Sequence, residues 1–166
     1  YALSLCGHEC VYNENYSKAK KFFEQSLTLD LRFYNAWWGL GNIFYKQDKF
    51  QQATQHFEKA LKLNPRCSIL YTYLGMTMVA NSNFEFALKQ FEACEQIDPD
   101  NILNGYQKAN VLNLLNREEE AIIVLEKLAQ RVPHEAQIPL MLAKIYKKLQ
   151  RKDQAYKYFT IAMDLE

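Results

Sequence analysis

The sequence predicts an all-α solenoid of five stacked antiparallel helix pairs, and three periodic features predict it. Ala19, Ala53, Ala87, Ala121 and Ala155 recur at one constant spacing. Four residues beyond each comes a bulky apolar side chain: Phe23, Phe57, Phe91, Leu125 and Phe159. Proline recurs at the same interval, at Pro65, Pro99 and Pro133. Residues four apart share one face of a helix, so each Ala/Phe pair marks a packing side with one small and one large residue. Proline cannot continue a helix, so Asn64-Pro65 and Asp98-Pro99 mark junctions between units. A single helix pair cannot bury its apolar face; stacking supplies a continuous core and an extended concave surface.

A 34-residue period is the length of the tetratricopeptide repeat (TPR), a helix–turn–helix unit that stacks into a right-handed superhelix. The first unit, residues 1–33, opens inside its first helix and carries Ala19 and Phe23 on its second. The second, 34–67, holds the full signature: Trp37, Leu40, Gly41, Phe44, Ala53, Phe57, Ala60 and Pro65. In the third, 68–101, the same positions read Tyr71, Leu74, Gly75, Met78, Ala87, Phe91, Cys94 and Pro99. The fourth, 102–135, and the fifth, 136–166, are looser, with Gly105 and Pro139 at the Trp position. Gln47-Asp48 and Asn81-Ser82-Asn83 read as turns, and Gly41 and Ala53 let paired helices approach closely. The fifth unit stops at Glu166, before the expected proline, with no polar capping helix. The chain therefore reads as a piece of a longer repeat protein.

Composition excludes several function classes. Net charge is +1, which gives no electrostatic footprint for nucleic acid or an anionic membrane. No apolar run approaches the roughly 18 residues of a membrane span. Phosphate-binding loops, zinc-protease motifs and nucleophile elbows are missing, and no cofactor or metal is expected. His8, His56 and His134 fall in different units, with His56 expected to face solvent. The register places Cys6, Cys10 and Cys94 where Leu, an aromatic and Ala belong. They are expected as buried apolar residues in a reducing, intracellular setting, with Cys67 just past a junction. Glu118-Glu119-Glu120 opens a helix, where acids complement the dipole. The chain is expected to bind proteins and to catalyse nothing.

The first helix of each unit lines the concave groove. Its register assigns Ser4, His8, Val11 and Tyr12; Asn35, Trp38, Asn42, Tyr45 and Lys46; and Ile69, Thr72, Met76 and Val79. Further along it assigns Leu103, Tyr106, Asn110 and Asn113, then Gln137, Leu140, Lys144, Lys147 and Lys148. Trp37 fills the packing position, so Trp38, about 100° around the helix, faces the groove or shields its neighbour. Asn42 is one turn further on, with an amide suited to a peptide backbone. The carboxylate clamp of chaperone-adaptor TPR domains needs Lys and Asn, then Asn, then Lys and Arg. Those places here read Ser4/His8, Asn42 and Ile69/Tyr73, so the clamp is absent. A generic TPR adaptor for chaperone or other peptide tails remains the alternative.

Certain words fall outside the repeat signature. They are Gly7-His8-Glu9, Tyr34-Asn35-Ala36-Trp37 with Gly39-Leu40-Gly41, Tyr45-Lys46-Gln47 and Lys49-Phe50. Others are Val132-Pro133, Lys144-Ile145-Tyr146-Lys147-Lys148-Leu149 and Ala162-Met163-Asp164-Leu165. Over nearly the whole chain they resemble the C-terminal TPR region of the anaphase-promoting complex (cyclosome) subunit 3, or cell-division-cycle protein 27, family. The paralogous subunit 8 shares two of the words and is the rival assignment. The resemblance implies a non-catalytic scaffold of a mitotic ubiquitin ligase, nuclear and cytoplasmic, whose partners are other TPR subunits and the C-terminal Ile-Arg tails of coactivators. It also implies a homodimer formed through N-terminal repeats that this chain lacks, leaving the chain itself monomeric. His8, Asn35 or Asn42 would serve the tail carboxylate, and Trp38 or Tyr45 the guanidinium, with Glu9 as its acidic partner. Tyr106, Asn110 and Lys144 would continue the peptide-binding groove.

Overall fold

The computed structural model describes residues 2–165, and among them every regular element is an α-helix. Tyr1 and Glu166, the outer limits of the first and fifth units, lie outside the described residues. The helices are α1 (Ala2–Tyr12), α2 (Tyr16–Leu29), α3 (Tyr34–Lys46), α4 (Phe50–Leu63), α5 (Ser68–Ala80) and α6 (Phe84–Ile97). They continue with α7 (Ile102–Leu114), α8 (Glu118–Arg131), α9 (Gln137–Lys148) and α10 (Lys152–Leu165). Two compact bodies result, one ending at Ile97 and the other beginning at Asp98.

In the first body α1 packs on α2, α3 on α4 and α5 on α6, while α2 meets α3, α4 meets α5, and α1 lies against α3. Ala19, Phe23, Ala53, Phe57, Ala87 and Phe91 lose all contact with solvent. Each buried Phe contributes about 1.5–3 kcal/mol. Glycine makes the approach possible. A Cβ on Gly7 or Gly39 would stand 2.6 or 2.2 Å from the Phe23 ring, and one on Gly41 2.6 Å from Phe57. Phe23 is thus held between two helices that each present a glycine to its ring.

The turn inside every pair is built alike. Glu14, Asp48, Ser82, Asn116 and Gln150 have φ of 56, 58, 61, 56 and 58°, at the same spacing as the alanines. The next residue's N–H reaches back to a carbonyl five residues earlier: Asn15 to Cys10 at 2.8 Å, Lys49 to Phe44 at 2.9 Å and Asn83 to Met78 at 2.9 Å. Arg117 to Leu112 at 2.8 Å and Arg151 to Tyr146 at 2.9 Å complete the set. This is the Schellman closure, which needs one left-handed residue. None of the five is glycine, so each turn carries a local conformational cost.

In the second body α7 packs on α8, α9 on α10 and α8 on α9. Pro139 sits in the first turn of α9, where a missing N–H does little harm. The acidic run at the start of α8 pairs across to α9 and its turn: Glu118 with Lys148 at 2.6 Å, and Glu119 with Arg151. Glu120 pairs locally with Arg117 at 2.7 Å. Deeper, the hydroxyls of Tyr146 and Tyr158 both donate to Glu126 Oε1, at 3.0 and 3.3 Å, and their rings stack 5.5 Å apart.

Several expectations are corrected. Cys94 is buried, its thiol donating to the Ser68 carbonyl at 3.3 Å, but Cys6 is exposed and Cys10 half-buried. At the register of Cys6, Leu40 and Leu74 are buried because α2 and α4 pack against the following pair, whereas the packing of α1 on α2 and α3 leaves Cys6 exposed. His56 does not simply face solvent. Its ring lies 4.9 Å from Phe44 and 5.7 Å from Trp37, and its Nδ1 is 2.8 Å from the Gln52 carbonyl. Thr72 and Ser4, assigned to the groove, are buried; Thr72 turns to α6, 3.3 Å from Cys94 Sγ.

Candidate functional site

The inner wall of the first body is built by register. His8 and Asn42 hold equivalent positions in successive repeats, as do Tyr12 and Lys46, so α1 and α3 present matching i, i+4 pairs side by side. Tyr73 of α5 joins them. A cavity of about 430 Å³ is lined by His8, Val11, Tyr12, Glu14, Tyr16, Asn42, Lys46 and Tyr73, a volume in the range of ligand pockets.

Trp38 stands at its back. The indole lies 4.9 Å from the His8 ring and 5.8 Å, edge-on, from Tyr73; Tyr73 also meets Tyr45 at 6.4 Å and Phe57 at 5.8 Å. Trp38 thus shields its neighbours His8 and Tyr73, which themselves line the cavity. The Trp38 Nε1 donor and the Asn42 Oδ1 acceptor are buried with no hydrogen-bond partner. Such groups are uncommon in folded proteins, and each costs about 1–3 kcal/mol. Trp37, by contrast, is spent on structure: its Nε1 donates to the Leu31 carbonyl at 2.9 Å and Lys59 covers its ring at 4.5 Å.

Burial against Phe23 and Trp38 lowers the pKa of His8, so it faces the cavity as a neutral ring near pH 7. Burial, then the nearby Tyr73 and Asp48, raise that of Tyr45. The groove chemistry of this wall is therefore uncharged and aromatic, with charge confined to Glu14 and Lys46 at its edge.

The fold brings His8, Trp38, Asn42 and Tyr45 together with Tyr73. Asn35 is half-buried in the first turn of α3, about two turns from Asn42. Glu9 lies elsewhere, accepting from Asn13 Nδ2 at 3.4 Å and lining a depression with Leu5, Lys18 and Phe22. Tyr106, Asn110 and Lys144 belong to the second body. Tyr106 is half-buried, its pKa raised by burial and then by Glu135; Asn110 is half-buried and Lys144 exposed. Lys148, one of the three groove lysines, is committed to Glu118 and donates to Asn116 Oδ1 at 2.9 Å. Sequence reasoning passed over Glu14 and Tyr16, and met Tyr73 only as a place where the carboxylate clamp is absent. Tyr73 shares the register of Gly39, and that exchange of glycine for tyrosine was the available signal. Among the described residues no group of three or more His, Cys, Asp or Glu gathers as a metal site.

A stack of helix pairs with one constant period, closed by identical turns and carrying a polar and aromatic inner wall, defines a tetratricopeptide-repeat protein. Tetratricopeptide-repeat models match residues 2–33, 34–67 and 136–166. Over all 166 residues the chain is 37% identical to anaphase-promoting complex subunit 3 of Schizosaccharomyces pombe, covering 25% of that protein. It is 38% identical, again over its whole length, to cell division cycle protein 27 homolog B of Arabidopsis thaliana, covering 22% of it. The chain belongs to this family of TPR proteins, that of anaphase-promoting complex subunit 3 and cell division cycle protein 27, and spans about a quarter of these curated relatives. Among solved structures, YrrB, described as a TPR protein with an unusual peptide-binding site, superposes with a TM-score of 0.81 at 19% identity, over 96% of this chain and 82% of that one. PilF of Pseudomonas aeruginosa gives 0.91 at 17% identity, over 99% and 75%. These likenesses establish the fold alone. No described helix is long and apolar enough to cross a membrane.

Proposed function

We propose that this chain is a scaffold segment of the anaphase-promoting complex ubiquitin ligase, and that the α1–α3–α5 wall receives a C-terminal peptide tail. Family membership supports the assembly, with other TPR subunits as neighbours and a nuclear and cytoplasmic setting. The observation that carries the tail reading is the pair of buried, unpartnered groups, Trp38 Nε1 and Asn42 Oδ1. An extended peptide offers a carbonyl and an N–H at every residue, the complement of that donor and acceptor. The rings of Tyr45 and Tyr73 offer an aromatic face for a guanidinium and apolar contact for a branched side chain. These are the features of the Ile-Arg tails that the family resemblance implies. As a scaffold, the chain contributes binding and no bond chemistry, and the parent protein would dimerise through repeats outside this chain.

Fluorescence anisotropy with a labelled peptide ending in Ile-Arg tests the reading. Binding is expected with Kd on the order of micromolar. Amidation of the peptide terminus should abolish it, and Trp38→Ala should weaken it about tenfold. Equal binding of free-acid and amidated peptides overturns the tail reading. Stronger binding of an acidic chaperone tail replaces it with a generic adaptor. Affinity purification of the full-length protein tests the assembly: failure to co-elute with ligase subunits removes that assignment.

A further inference from the structure

His56 is held in a setting that suits an imidazole and not an imidazolium. It lies near the middle of α4, half-buried, beside two rings of α3: Phe44 at 4.9 Å and Trp37 at 5.7 Å. Its Nδ1 is 2.8 Å from the Gln52 carbonyl, one turn earlier. A carbonyl only accepts, so Nδ1 carries a proton in both charge states and Nε2 is the nitrogen that titrates.

The charges that act on the ring are both positive. Lys59, one turn on, holds its Nζ 4.5 Å from the Trp37 centroid, and Lys20 reaches from α2 to 5.9 Å from that of Phe44. Glu24 holds Lys20 at 3.7 Å and is itself exposed. Glu58 is exposed too, about 200° around α4 from His56. Of the helices packed on α4, α3 has Lys46 as its one charged residue and α5 has none. Among the described residues His56 enters no ion pair. Aromatic faces attract cations, but both of these rings already serve an ammonium group.

We propose that His56 is an acid-released latch between α3 and α4: the neutral ring seats α4 against Trp37 and Phe44, and a proton on Nε2 adds a third cation that loosens this packing. Burial lowers the pKa of His56 most; the Gln52 bond raises it, and Lys59 and then Lys20 lower it again. The unfolded chain, with a value of about 6.5, therefore takes up this proton before the folded chain does. The stabilisation is whole above that value and is lost as pH falls through the lower folded one. Because α3 also carries Trp38 and Asn42, the latch sets how firmly the inner wall is held, whatever that wall binds.

Proton NMR of the whole chain follows the imidazole signals, with His56 assigned from its contacts to the Phe44 and Trp37 rings. His56 should titrate below about 6.5, and Lys59→Met, which keeps an apolar stem over Trp37, should move it up. Thermal melts at about pH 7.5 and about pH 5 read the linkage. The acid-induced fall in Tm should be smaller in His56→Gln than in the wild type, by roughly 2 °C or more. His8, also lowered by burial, is present in both chains, so its share of the fall cancels. Lys59→Met should shrink the fall as well, which keeps the melts decisive if His56→Gln does not fold. A side chain that only fills space would change Tm equally at both pH values. Parallel acid falls in the wild type and the variants overturn the latch, as does a His56 signal titrating at or above about 6.5.

Discussion

Two aromatic–polar clusters in this chain treat buried hydrogen-bonding groups in opposite ways. In the second body, Tyr146 and Tyr158 arrive from α9 and α10 and both donate to one oxygen of Glu126 on α8. In the first, Trp38 and Asn42 stand one turn apart on α3 with a donor and an acceptor that meet nothing. The same low-dielectric surroundings strengthen the satisfied cluster and penalise the open one. The first arrangement joins three helices. The second leaves a donor and an acceptor without a protein partner, and Asn42 lines a cavity. Burial of polar atoms alone would make the clusters look equivalent; which of their atoms lack partners separates them.

The largest expected effect breaks the satisfied side. Glu126→Ala leaves two tyrosine hydroxyls without their acceptor, one of them on a nearly fully buried residue, and should cost about 2–3 kcal/mol in urea denaturation. Glu126→Gln keeps an acceptor and should lose less than half as much. The matching change on the open side should go the other way. Asn42→Leu removes an unpaired acceptor at similar volume, so stability should hold or rise by up to about 1 kcal/mol while tail binding is lost. Equal destabilisation by Glu126→Ala and Asn42→Leu would erase the contrast.

A titration sharpens the same comparison. Burial, then the hydrogen bond to Glu126 and its charge, push the Tyr146 hydroxyl up to about 12, and Tyr158 is raised by the same neighbours. The unfolded value is about 10. The folded chain therefore keeps these protons where the unfolded chain has released them. The stabilisation is whole below pH 10 and is lost as pH climbs to about 12. Absorbance of tyrosinate should show these two hydroxyls ionising late, together with loss of α9–α10 structure; Glu126→Ala should bring that ionisation down toward pH 10. A late ionisation unchanged in the variant would mean that Glu126 plays no part.

Much of the fold was legible because period and burial share one cause. Ala with Phe or Leu, recurring once per repeat, fixes which face of each second helix is packed; the first four such pairs are fully buried, while Phe159 of the fifth is half-buried. The groove was only half legible. His8, Trp38 and Asn42 follow from register, since each lies on a helix face that repeats. Tyr73 does not, because its register position changes character from repeat to repeat, reading Leu5, Gly39, Tyr73, Gln107 and Met141. Glu14 was missed because it lies in a turn and the groove was read from helices alone. Cys6 and His56 went astray for a related reason: register gives the face, and burial depends on what the neighbouring pair lays over it. The acidic run of α8 was read as dipole compensation, yet Glu118 and Glu119 find their partners on α9 and the following turn, in the next repeat unit.

The smallest effect concerns the five turns, where the two bodies are built alike and sequence differences should show cleanly. Each turn spends one left-handed residue, and the occupants differ only in how well they tolerate it. Gln150 is exposed and its local hydrogen bonds are made by the backbone, which glycine keeps, so Gln150→Gly should stabilise the chain by about 0.5–1 kcal/mol. Asn116 already suits the left-handed region, so Asn116→Gly should gain only a few tenths of a kcal/mol. It should also lose the bond from Lys148 to the Asn116 side chain, bringing the net change near zero. Thermal melts of the two variants therefore rank the turns: a rise for Gln150→Gly that exceeds the one for Asn116→Gly ties the cost to the backbone. Equal rises would place it in the loss of an exposed side chain instead, and the conformational cost assigned to the five turns would have to be withdrawn with it.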